Sequence, residues 1–209
     1  MNALRKKGRK MHASSGSQIM KICAVILVLL NVIALCVLVS VLSKKAAREE
    51  YPVYFAEYVV PLSEEFGIDP DIVFSVIKTE SDFRPEAVSS AGAVGLMQIT
   101  LSAYEHIVSF SDRQYSQYAF SDMTDPYVNI LFGCRYIRYL YDVLGNYELV
   151  FAAYNGGITN VLKWLKDDRY SENGKLTHIP FPETENYVKK VSHAITEYKK
   201  IYNGEYYNA

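Results

Sequence analysis

Little in this sequence is suited to cross-linking or to metal. Of three cysteines in 209 residues, Cys23 and Cys36 fall inside one apolar run. Only Cys134 remains elsewhere, so the rest of the chain cannot form an internal disulfide. A lone cysteine in a helical run reads as a small core residue. CxxC and HExxH patterns are missing and the four histidines are scattered, so neither a metal site nor a cofactor is expected. Glycine (11) and proline (7) are too sparse for a fibrous or low-complexity protein. With half of the residues apolar, the chain is not wholly disordered either. Residues 1–48 contain no acid and nine of the 22 Lys/Arg; the remainder holds 13 basic and 23 acidic residues, a net of −10. A body of that charge lacks the clustered cations a phosphate backbone requires, so nucleic acid is excluded as a partner.

The apolar run is Ile22 to Leu42, 21 positions without a charge. At about 1.5 Å per residue it reaches about 30 Å as a helix, the thickness of a bilayer's hydrocarbon core. It has no polar face, as a soluble amphipathic helix would. It is longer than a signal peptide's apolar core and leads at once into Ser43-Lys44-Lys45, so an uncleaved anchor is expected. Arg5, Lys6, Lys7, Arg9, Lys10 and Lys21 precede it, a heavier basic load than Lys44, Lys45 and Arg48 after it. By the positive-inside rule the N-terminus is cytoplasmic and the body lies on the extracytoplasmic face of the cell membrane. The expected organisation is a basic segment 1–21, a span 22–42, a linker 43–50, a domain 51–203 and a fraying tail 204–209.

The body reads as mainly α, with no convincing strand. Tyr51 to Phe66 is a predicted helix, interrupted or restarted at Pro61 and ended by Gly67. Asp69-Pro70 and Asp125-Pro126 are helix starts, a capping carboxylate followed by proline in the first turn. They predict helices from Pro70 to about Asp82 and to about Leu144, the second stopped by Gly145. Residues 86–98 are small and glycine-containing, a tight loop. Short helices follow from Tyr147 to Tyr154 and on through Trp164. Residues 167–182 read as an exposed loop. A last helix runs from about Glu183 to Tyr202.

One residue breaks the pattern. On the Asp69-Pro70 helix, with about 100° per residue, Ile72, Val73, Val76 and Ile77 span an apolar arc of about 140° and Glu80 falls near its middle. Lys78, Asp71 and Ser75 fall on the other side. A buried unpaired carboxylate costs several kcal/mol or raises its pKa. Periodicity alone leaves two readings open: Glu80 is paired with a buried Arg or caps a neighbouring helix, or it is a general acid kept protonated by a poorly solvated cleft. Asp82, two positions on, faces elsewhere.

Around Glu80 the residues become specific. Glu80-Ser81-x-Phe83-x-Pro85-x-Ala87-Val88-Ser89-x-Ala91-Gly92-Ala93-x-Gly95-Leu96-Met97-Gln98 resembles the signature of the soluble lytic transglycosylase family. Ala152-Ala153-Tyr154-Asn155-Gly156-Gly157 and Pro182-Glu183-Thr184-x-x-Tyr187-Val188 are similar to two later motifs of that family, in its order. The resemblance spans roughly residues 66–195. Ile99-Thr100-Leu101-Ser102 and the stretch His106 to Tyr118 depart from the family's pattern, at the cleft wall.

The resemblance implies a lysozyme-like helical fold, here following the single transmembrane helix read from the apolar run, and an enzyme acting on peptidoglycan glycan strands. Glu80 matches the single catalytic acid/base. Ser89 matches a substrate-contacting serine, Gln98 a cleft glutamine and Met97 an apolar wall residue. Gly95 would let backbone approach the sugar, though a plain turn residue reads the same. Tyr154 matches a tyrosine near the catalytic glutamate, or a core residue with a satisfied hydroxyl. Asn155 suits the cleft or a helix end, and Glu183 a second cleft acid or a helix N-terminus. The implied reaction cleaves the β-1,4 bond between N-acetylmuramic acid and N-acetylglucosamine and closes a 1,6-anhydro ring, without water. The alternatives are a muramidase on the same fold, which adds water, and a catalytically idle wall-binding scaffold.

Overall fold

The computed structural model describes residues 2–110 and 115–206, those before Ser17 as backbone only. It divides into two compact units, Met1–Glu50 and Tyr51–Ala209. The first is one helix, α1 (Asn2–Glu50). Residues 43–50, expected as a linker, continue this helix, and Lys45 pairs with Glu49 one turn on. Every side chain from Ile22 to Leu42 is exposed. Among the described residues, α1 is the one helix long and apolar enough to cross a membrane, and it fits a membrane anchor. The basic side chains of Arg5 to Lys10, which carry the orientation argument, lie outside the described side chains.

The second unit is helical: α2 (Ala56–Phe66), α3 (Pro70–Glu80), α4 (Leu101–Phe110), α5 (Pro126–Leu144), α6 (Tyr147–Gly156), α7 (Ile158–Trp164) and α8 (Pro182–Tyr202). The start signals act as read. The Asp69 side chain accepts from Asp71 N, and the Asp125 side chain from Val128 N. Gly145, at φ 67°, ends α5 in the left-handed conformation that glycine adopts without strain. Pro61 lies inside α2, which begins only at Ala56.

Helix α3 is the centre of the fold, packed against α2 and α8, while α6 packs on α5, α7 and α8. Val73, Phe74, Val76 and Ile77 have no exposed surface. The two-sided reading of α3 is therefore corrected: Asp71 and Ser75 are also buried. They are satisfied, since Ser75 Oγ donates to the Asp71 carbonyl (2.6 Å) and Tyr206 Oη donates to Asp71 Oδ1 (2.7 Å). The same bond corrects the tail: Tyr206 is buried against Phe74, so residues 204–206 belong to the fold.

Helix α3 ends at Glu80, not Asp82, because Asp82 and Phe83 turn to φ 52° and 60°. Helix α4 was not expected; Thr100 Oγ1 caps it, accepting from Ala103 N, and it buries Ala103 and Ile107. The loop 167–182 contains a two-residue hairpin, β1 (Ser171–Glu172) and β2 (Lys175–Leu176). It returns through buried Ile179, and Phe181 packs edge-on against Trp164.

Candidate active site

Glu80 is the last residue of α3. Its backbone sits at the negative end of the helix dipole, which opposes a negative charge there. Burial dominates its electrostatics and pushes the carboxyl up from 4.5 to about 7, and a weaker interaction with the Tyr187 hydroxyl pulls it back. No cation and no second carboxylate among the described residues perturbs it, so the reading in which a buried arginine neutralises it is not realised. Lys78, on the same helix, instead pairs with Asp82 at 2.5 Å on the solvent side.

The segment after Glu80 is fixed by buried polar groups. Ser81 Oγ donates to the Leu96 carbonyl (2.8 Å), tying the end of α3 to the far side of the loop. Within the loop, Val88 and Ile99 each bridge to Val94. Asn129, on α5 and without exposed surface, holds the loop from below. Its Oδ1 accepts from Met97 N (2.7 Å), and its Nδ2 donates to the carbonyls of Val94 (2.9 Å) and Met123 (2.7 Å). Tyr154 Oη, on α6, donates to the Met97 carbonyl (2.7 Å).

Several expected contacts change meaning in this setting. Met97 is not a wall residue: it has no exposed surface, and its thioether fills the space over Gly133, where a Cβ would collide with it. Gly95 is required by what lies beneath it. It is buried at φ 84°, and a Cβ there would overlap the Asn129 side chain and the Met123 carbonyl. Gln98 Nε2 is committed to the carbonyls of Ala87 (3.1 Å) and Gly95 (2.9 Å). Ser89 Oγ accepts from Ala93 N (3.0 Å), closing the turn it belongs to; its own proton remains available for donation.

A cleft of about 260 Å³ opens beside this loop, lined by Gln98, Tyr136, Tyr154 and Asn155 among others. Tyr136 and Tyr154 face each other with ring centroids 5.5 Å apart. Glu80 does not line the cleft itself; Tyr154, which does, is its electrostatic neighbour. Asn155 Oδ1 accepts from Thr184 Oγ1 (2.7 Å), which pins the first turn of α8 to the end of α6. Glu183, in that turn, is exposed and outside the cleft lining. A larger hollow of about 450 Å³ lies at the other end of α3. Asp69, Lys199, Asp71 and Tyr206 in its lining are engaged in the Lys199–Asp69 ion pair and the Tyr206–Asp71 hydrogen bond, and no residue of the three motifs lines it. The smaller cleft is thus the candidate site.

The structure brings Glu80, Gln98, Tyr154 and Asn155 into one region and adds three residues absent from the expected set. Asn129 carried a signal: it is the sole polar side chain in Val128 to Phe132, an anomaly of the kind that exposed Glu80. Tyr187 stood in the third motif; it is buried in α8, and Glu80 is among its electrostatic neighbours. Tyr136 carried none.

Residues 57–176 match the family described as the transglycosylase SLT domain. The chain is 32% identical over 162 residues to the soluble lytic murein transglycosylase of Escherichia coli K12, covering 76% of this chain and 25% of that protein. It is 30% identical to membrane-bound lytic murein transglycosylase C of Pectobacterium atrosepticum, covering 66% of this chain and 44% of that one. Among solved structures, an inactive mutant of lytic transglycosylase Slt from Pseudomonas aeruginosa superposes with a TM-score of 0.61 at 29% identity, over 72% of this chain and 25% of that one. The 70-kDa soluble lytic transglycosylase in complex with bulgecin A gives 0.66 at 27% identity, over 76% of this chain and 26% of that one. The chain thus spans a quarter to under half of the length of these relatives. With a match that extends over more than half of its residues, reaching from α2 to the hairpin and enclosing both Glu80 and Tyr154, this chain belongs to the transglycosylase SLT domain family.

Proposed function

We propose that the chain is a membrane-anchored peptidoglycan lytic transglycosylase in which Glu80 performs both proton transfers. The observation that carries this reading is a carboxyl at the end of α3, raised to about 7 by burial, on which no second carboxylate among the described residues acts. A two-carboxylate glycosidase holds its acids about 5–9.5 Å apart, where each would perturb the other. Protonated Glu80 donates to the glycosidic oxygen between N-acetylmuramic acid and N-acetylglucosamine as the C1–O bond breaks. The substrate's own N-acetyl group supports the charge developing at C1. Ionised Glu80 then takes the proton of the same sugar's C6 hydroxyl, and O6 bonds to C1 to give the 1,6-anhydro end. A carboxyl with its pKa near ambient pH serves in both directions.

Around it, Ser89, Gln98, Tyr154 and Asn155 form the substrate side in this reading, with Glu183 at its rim. Gly95 and Met97 support the loop from beneath. The charge asymmetry of the first 48 residues supports a cytoplasmic N-terminus, a single pass through residues 22–42 and an extracytoplasmic body. The anchor would hold the body at high local concentration near the wall, which its net charge of −10 does not favour by itself.

The deciding experiment is mass spectrometry of a peptidoglycan digest. Products one water lighter than their hydrolytic counterparts are expected. Hydrolytic products would establish the muramidase, and no release across pH 4–8 would establish the idle scaffold.

A further inference from the structure

The cleft beside the loop holds about 260 Å³. That is below the ~300–1,000 Å³ of a pocket that encloses a whole small ligand, so a polymer seated in it must run out over the rim. One rim carries a continuous run of rings. Tyr154 and Tyr136 line the cleft. Tyr139 stacks next to Tyr136 at 6.2 Å and meets His106 at 4.6 Å. Phe110 touches both His106 (4.8 Å) and Tyr139 (4.9 Å). Helical spacing explains the alignment. On α4, Ser102 lines the cleft, and His106 and Phe110 follow at four-residue intervals on the same strip. On α5, Tyr139 stands one turn beyond Tyr136. The two strips leave the cleft together and meet. Helix packing alone does not call for these rings. Ala103 and Ile107 already bury α4 in the core, whereas His106 and Phe110 are exposed and Tyr136 and Tyr139 half-buried. The Arg135 guanidinium lies 4.6 Å from the Phe110 ring centroid and holds that ring from α5. His106 and Phe110 also fall in the stretch that departs from the family's pattern, so the family resemblance does not account for them.

We propose that Tyr139, His106 and Phe110 form a shelf that binds a further sugar of the glycan strand, beyond those at the cleaved bond. The inference rests on the glycan reading of the cleft given above. An aromatic face suits the C–H surface of a sugar ring, while the Tyr139 hydroxyl and the His106 ring nitrogens supply donors and acceptors for the sugar's hydroxyl groups. The rings brace one another, so little side-chain freedom is lost on binding. Continuity with the cleft and the body's net charge of −10 favour an uncharged sugar over an anionic peptide stem as the occupant. The shelf would thus make the chain select longer strands, with no part in the proton transfers.

The test uses the full chain in detergent, carrying Glu80→Gln so that the ligand stays intact. Calorimetry measures the binding of uncharged β-1,4-linked N-acetylglucosamine oligomers, a disaccharide and a hexasaccharide. The hexasaccharide is expected to bind more tightly. Tyr139→Ala should weaken it by about tenfold and leave the disaccharide unchanged. Tyr139→Phe, which keeps the ring, should retain most of the gain. His106→Ala should act in the same direction as Tyr139→Ala, and because His106 is exposed it carries the test if Tyr139→Ala does not fold. A hexasaccharide that binds no tighter than the disaccharide, or variants that weaken both ligands equally or neither, would overturn the shelf. An effect seen only with peptide-bearing wall fragments would assign it to the stem and overturn the sugar reading. Binding needs no turnover, so length-dependent affinity lost in the variants upholds the shelf even where the product assay finds a muramidase or an idle scaffold. Conversely, its absence rejects the shelf where that assay finds a transglycosylase.

Discussion

Replacing Glu80 by Gln should abolish turnover and, at alkaline pH, stabilise the fold. The magnitude follows from the carboxyl's environment. Its pKa rises from 4.5 in the unfolded chain to about 7 in the folded one, with burial the leading cause. At 1.36 kcal/mol per unit the difference corresponds to ~3 kcal/mol. The sign follows from linkage. Between the two pKa values the folded state holds the proton and the unfolded state does not, so stability falls as pH rises through that window. Below 4.5 both states are protonated and the neutral amide confers no advantage. Above 7 the parent chain holds a half-buried, poorly solvated carboxylate and the variant does not, so the variant leads by up to ~3 kcal/mol. The check is urea unfolding of both proteins, followed by circular dichroism at pH 4 to 8, beside turnover of peptidoglycan. A stability difference that does not change with pH would refute the reasoning about burial. Turnover by the variant equal to that of the parent would refute the catalytic assignment.

Asn129→Ala removes the partner of two buried backbone groups, at Met97 and Met123, and of a half-buried one at Val94. At about 1–3 kcal/mol for each buried unsatisfied group, a loss of at least ~2 kcal/mol is expected. Chemical denaturation measures it, and a loss below ~1 kcal/mol would show that the loop does not depend on this amide. For orientation, protease added outside intact protoplasts should digest the body and spare the first residues. Full protection of the body would reverse the proposed topology.

The helices were legible where their signals are local. Asp69-Pro70, Asp125-Pro126 and Gly145 each act through their own neighbours, and they start or stop helices where the sequence reading put them. Helix α4 escaped because its single capping hydroxyl, Thr100, precedes a short run with only two fully buried side chains. Glu80 was legible for a different reason. A charged group in the middle of an apolar arc is an anomaly within one helix, and one helix suffices to reveal it. The three motifs then identified the loop and the tyrosine without saying how they meet.

What the sequence determined by itself is therefore the apolar span, the helical class, the carboxyl proposed to perform the chemistry and the family. Tertiary structure alone decided which of the accompanying residues line the cleft and which face the core. Met97 and Gly95 changed sides because Asn129, 32 residues from one and on another helix, draws the loop downward onto α5. Asp71 and Ser75 were assigned to solvent by a rule that sees one helix at a time, whereas α3 is enclosed by α2 and α8, and a tyrosine 135 positions later satisfies Asp71. Periodicity reports which faces are apolar, but hydrogen bonding between distant segments sets what each polar atom meets.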